Sequence, residues 1–140
     1  MTRKLLGVLI VGSFLFFVAA PLFAHHSFDA EYDRTKPISF KGTISKVDWM
    51  NPHIYIYVDT KDASGKAVTY AVEGGPPNSL FRQGWRKESV SIGTPVSVTG
   101  YLAKKPGALF VNGSLTMADG RSVFRGATGG GAPGVAEYEK

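Results

Sequence analysis

The chain has 140 residues, with 16 Lys and Arg against 11 Asp and Glu, a formal net charge of +5, and no cysteine. That length suits one domain and argues against several. Without cysteine there is no disulfide framework, no thiol nucleophile and no thiolate metal centre, so a packed core must hold the fold.

The first 24 residues read as a leader. Arg3 and Lys4 precede an apolar run from Leu5 to Ala20, Pro21 breaks it, and Ala24 is small. This is the three-part pattern of a secretory signal peptide, with cleavage expected after Ala24. The apolar run is roughly sixteen residues, short of the ~20 that a spanning helix needs. Leu22 at the −3 position is a weaker match than alanine, so an uncleaved signal anchor is the alternative. No other stretch is long and apolar enough, and no stable membrane span is expected after cleavage. The leader takes two basic residues with it, leaving 14 basic against 11 acidic in a chain starting at His25. A balance that mild selects no particular anionic partner. The mature protein is expected in the periplasm or outside the cell, where nucleic acid is not its partner.

From residue 37 the apolar residues recur with period two, which predicts strands. Ile38, Phe40 and Ile44 share a face with Gly42, and Val47 and Trp49 follow on the other parity. A glycine followed by a phase change predicts a bulge that bends a long first strand. Asn51-Pro52 supplies a turn. Ile54, Ile56 and Val58 then alternate with Tyr55 and Tyr57, and after Ser64-Gly65 a third strand alternates Val68, Tyr70 and Val72 with smaller residues. Gly74-Gly75-Pro76-Pro77 ends that pattern. It lacks the lysine and hydroxyl of a phosphate-binding loop and reads as a turn. A short helix is predicted over 78–83, with proline near its start and Gly84 past its end. Leu80 and Phe81 are expected to bury one side of it, and Trp85 to close its far end. Strands resume at Val96, Val98 and Leu102, and again at Leu109, Val111, Leu115 and Met117. Asp119-Gly120 predicts a small terminal hairpin through Val123 and Phe124.

Three strands, a helix and two further strands predict an all-β domain with one short helix. The expected form is a small OB-fold-like barrel of five main strands, the helix lying between strands 3 and 4. The boundaries expected are a signal peptide at 1–24, an N-terminal arm at 25–36, the barrel at 37–124 and a glycine-rich disordered tail at 125–140.

The strings AHHSFDAEYD, KGTISKVDWMNPHIYIYV, EGGPPNSLFRQGWRKESV and ADGRSVF together resemble domain of unknown function 6152, a family of small exported bacterial proteins. The resemblance runs from His25 to about Phe124. It implies export and a compact β domain, and it supplies no catalytic residues.

The residues themselves offer one chemistry. All three histidines, His25, His26 and His53, lie beyond the leader. Cleavage after Ala24 makes His25 the first residue, so its free amine and imidazole sit in one chelate ring. If the arm folds back to the Asn51-Pro52-His53 turn, two imidazoles and an amine give a three-nitrogen, T-shaped set suited to copper. Imidazole suits zinc and nickel too. Cleavage one residue earlier would make His26 the third residue and give a different amino-terminal chelate. Met50 could add a thioether for copper(I). The bland reading is a mobile polar leader and a hydrogen-bonded turn histidine. Asp29, Glu31 and Asp33 read as solvated charges.

A second candidate is a ligand-binding face of Tyr55 and Tyr57, bordered by Lys41 and Lys46. It is joined by a basic lip of Arg82, Trp85, Arg86 and Lys87, where arginine stems would cover the indole. Such a face fits a glycan, a peptide or a partner protein of the cell envelope. No serine lies in a nucleophile elbow, and Asp48 with Glu73 is the only carboxylate pair to be drawn. The expected function is therefore non-enzymatic: a metal-binding domain, with an envelope interaction module as the alternative.

Overall fold

The structure is a computed structural model and describes residues 28–125. Within it, a one-turn helix α1 (Phe28–Glu31) leads into β1 (Tyr32–Asp48), followed by β2 (Tyr55–Lys61) and β3 (Ala67–Glu73). Helix α2 (Pro77–Arg82) and a 3₁₀ turn (Lys87–Ser89) come next, then β4 (Pro95–Ala103), β5 (Phe110–Met117) and β6 (Ser122–Arg125). Among the described residues no helix is long and apolar enough to cross a membrane. The leader, His25, His26 and the tail beyond Arg125 lie outside the described residues.

The strands form one six-stranded sheet in the order β3-β2-β1-β4-β5-β6. This corrects the expected OB-like barrel of five strands and one helix. Strand β3 meets β5 only through three parallel pairs, Ala71 with Phe110, Val72 with Val111 and Glu73 with Asn112. The rest of that β5 edge goes to β6, which pairs with Ser114 to Thr116. Alternation fixes which side chains face the core but not which edge a strand finds, so the sequence could not tell these arrangements apart. There are also two short α-helices among the described residues, not one, because the segment before β1 forms a turn of helix.

The alternating residues make the core. Ile54, Ile56 and Val58 are fully buried, together with Val72, Val98, Val111 and Leu115, and α2 adds Leu80. Each such side chain stabilises the fold by roughly 1.5–3 kcal/mol relative to exposure. The bend in β1 is real: its register on β2 slips between Ile44 and Lys46, so Ser45 is the extra residue. Gly42 lies just before, and a Cβ there would sit 2.4 Å from the Asp59 carbonyl oxygen. Only glycine lets the bent strand lie that close.

Helix α2 follows its sequence signals, with Pro77 in its first turn and Gly84 at a φ of 86° just past its end. The Trp85 amide donates to the Leu80 carbonyl at 3.0 Å and its ring is buried, closing the helix as expected. Phe81 departs from expectation: it is 41% exposed and meets Trp49 edge-on at 5.9 Å.

One turn of helix is not stable alone, so tertiary contacts hold α1. Phe28 is buried, stacks on Tyr32 at 5.5 Å between ring centroids and meets Tyr101 edge-on at 5.7 Å. The Arg34 guanidinium lies 4.5 Å over the same ring. The Lys104 amide donates to the Glu31 carbonyl at 2.8 Å, and the Lys104 ammonium donates to the Asp29 carbonyl. The chain is thereby pinned three residues after His25.

Candidate functional site

Glu73 ends β3 and is the one charged residue among the described ones that is buried, 3% exposed. A buried carboxylate is costly unless hydrogen bonds compensate it, and three side chains converge on this one. The Tyr32 hydroxyl donates to Oε2. His53 Nδ1 meets Oε1, and the Tyr55 hydroxyl donates to Oε1 at 3.4 Å. The backbone brings them together: Tyr55 lies opposite Glu73 in the β2–β3 register. His53 sits just before β2, where the Gly74 amide donates to the Ile54 carbonyl at 2.8 Å and the Ile54 amide to the Gly75 carbonyl at 3.3 Å. Tyr32 arrives from the start of β1, opposite Ala103.

A carboxylate can only accept, so the proton between it and His53 belongs on Nδ1. In the neutral imidazole the lone pair is then on Nε2, and the His53 side chain is one-third exposed. Burial and then the hydrogen bond to Glu73 drive the Tyr32 hydroxyl far above the usual tyrosine range. Burial, followed by the Glu73 charge, pushes Tyr55 up to about 12. Both tyrosines are therefore fixed as donors at any physiological pH.

The expected site residues fall at separate places. His53 is in the cluster. Met50 is 56% exposed and has no side-chain hydrogen bond or ring contact with it. Tyr55 turns its hydroxyl to Glu73, while Tyr57 lies under the Lys46 ammonium at 4.7 Å. Trp85 is buried beneath Arg121, 5.4 Å from the ring centroid. The Arg86 guanidinium lies 4.8 Å over Phe81 and donates to the Phe81 and Trp85 carbonyls at 3.1 and 2.8 Å, so the lip is partly a structural clamp. Arg82 is exposed. Asp48 is paired with Lys46 at 2.8 Å. Asp29 pairs with Arg34 at 2.7 Å, and Asp33 with Lys36 at 3.3 Å. Among the described residues no three His, Cys, Asp or Glu side chains are grouped to hold a metal ion.

Sequence reasoning missed the central role of Glu73 and the contribution of Tyr32. One signal was present: a glutamate closing an otherwise apolar strand directly before Gly-Gly-Pro-Pro. Beside the cluster lies a cavity of about 350 Å³ walled by Tyr32, Tyr55 and Phe110, with Lys104 and Lys105 also lining it.

No curated protein and no solved structure matches the chain. A protein-family model does match, over residues 14–109. With more than half of its residues inside that match, the chain belongs to the family of unknown function DUF6152.

Proposed function

We propose that the protein is an exported, non-enzymatic metal-binding domain. In this reading copper(II) is held by the amine and imidazole of His25 at the mature N-terminus and by Nε2 of His53, with His26 as a further imidazole. The observation that carries it is the His53–Glu73 contact. A metal-ligating histidine commonly gives its second ring N–H to a carboxylate, which fixes the tautomer and strengthens the ligand nitrogen. His53 is prepared in that way by a buried glutamate itself braced by two tyrosines.

The pinned Phe28 adds support. Three residues of chain reach at most ~10 Å. Their anchor ring stacks on Tyr32, whose hydroxyl ends on the glutamate that holds His53. The short tether limits how far His25 can range from the cluster.

Mass spectrometry of the exported protein gives its first residue, and calorimetry with copper(II) gives the affinity. The expected result is a chain starting at His25 that binds copper(II) well below micromolar Kd and loses affinity on His25→Ala and again on His53→Ala. Micromolar or weaker binding by the native protein, or no effect of His53→Ala, defeats the proposal.

A further inference from the structure

The cavity beside Glu73 is built differently from the histidine site. Tyr32, Tyr55, Phe110, Ala103 and Ala108 give it mostly apolar walls. Its volume of about 350 Å³ lies at the lower end of the range of ~300–1,000 Å³ for small-molecule sites. It has room for a molecule with a single ring.

The walls are set before any ligand arrives. The hydroxyls of Tyr32 and Tyr55 are held on Glu73. Phe110 meets Tyr55 edge-on, 5.8 Å between centroids, and is 42% exposed. An aromatic with an open face beside a second fixed aromatic offers a further ring the offset or edge contact that such groups prefer.

Charge chooses the other end of the ligand. Glu31, Lys104 and Lys105 carry the ionic groups of the lining. The Lys104 ammonium already donates to the Asp29 carbonyl. Glu31 has an interaction of its own and adds to the negative field that raises the two tyrosines. The Lys105 ammonium has no hydrogen-bond or ion-pair partner among the described residues, and it is exposed. An anion would therefore lie toward Lys105 and away from Glu31 and Glu73.

We infer that this cavity binds a small aromatic monocarboxylate, its ring against Tyr55 and Phe110 and its carboxylate on Lys105. Neither Phe110 nor Lys105 has a hydrogen bond, ion pair or ring contact with His53, so the inference is tested apart from the copper reading.

The test uses the mature protein with a chelator present, titrated by NMR with hydrocinnamate, its neutral amide and phenethylamine. Hydrocinnamate is expected to shift Tyr55 and Phe110 resonances saturably. The amide should bind about three- to fivefold more weakly, the worth of one exposed charge contact, and the amine more weakly still. Lys105→Ala should remove the preference for the carboxylate while leaving amide binding unchanged. Phe110→Ala should weaken carboxylate and amide alike by about tenfold, through the lost ring contact. Both substituted residues are exposed, so the folded state should persist. No saturable shift, an amine that binds as tightly as the carboxylate, or a preference that survives Lys105→Ala overturns the inference.

Discussion

Glu73 is where a local rule of the sequence is broken to a purpose. Its phase on β3 matches Ala67, Thr69 and Ala71, a face whose first residues are exposed, yet it is buried. The burial comes from residues far along the chain: Tyr32 lies 41 positions before it and His53 20 before it. No window of sequence contains all three, which is why the histidines were legible as candidates and their buried partner was not. Removing one donor should expose the cost. Tyr32→Phe keeps the ring stacked on Phe28 but leaves a buried carboxylate oxygen without its hydroxyl, and should destabilise by about 1–3 kcal/mol in urea unfolding. A loss below a few tenths would mean that water replaces the hydroxyl.

Tyr55 gives the same site a pH dependence. Its proton is held more tightly in the folded protein, at about 12, than at the ordinary 10.0. The stability linked to it is therefore complete below pH 10 and lost as pH rises through about 12. The stability gap between the native protein and Tyr55→Phe should shrink across that window. Parallel curves would remove Tyr55 from the account.

Among the elements, strand identity was open to reading because burial follows parity: Ile54, Ile56 and Val58 are buried while Tyr55 and Tyr57 are less so. Helix α2 was legible through the proline at its start and the glycine at its end. The first helix was not, since Phe28–Glu31 owes its form to Tyr32, Tyr101 and Lys104 and not to its own four residues. The pairing of β4 with β5 also depends on something periodicity hides. Gly100 and Gly113 lie opposite each other, and a Cβ on Gly113 would sit 2.2 Å from the Thr99 carbonyl oxygen and 2.5 Å from Gly100 Cα. Backbone cannot yield as a side-chain tip can. Gly113→Ala should therefore cost at least the ~1–3 kcal/mol typical of overpacking, read as a lower midpoint in urea with an unchanged slope. A neutral substitution would show that the two strands can separate there without loss.

At the scale of the molecule, the architecture departs from expectation where edges meet. Counting strands along the chain suggested a barrel, whereas β3 and β6 share the outer edge of β5, and β3 takes only the part from Phe110 to Asn112. That junction puts Glu73 beside Phe110's strand and fixes the cluster between the start of β1, the entry to β2 and the end of β3. The proposed copper site would tie this junction to the mature N-terminus, so metal binding should stabilise the whole domain. Anything that binds only the folded state raises stability by RT ln(1 + [L]/Kd), about 2.7 kcal/mol at a hundredfold excess over Kd. The expected outcome is a rise in thermal midpoint when copper(II) is added to protein beginning at His25. Protein that keeps Ala24 as its first residue has no terminal histidine amine, and any chelate it forms has a different geometry. A ligand set bridging the N-terminus and His53 therefore predicts a smaller rise for that form, and a smaller one again when His53 is replaced by alanine in the His25 form. Equal rises in all three proteins would mean that copper binds elsewhere, and the junction would then be structural alone.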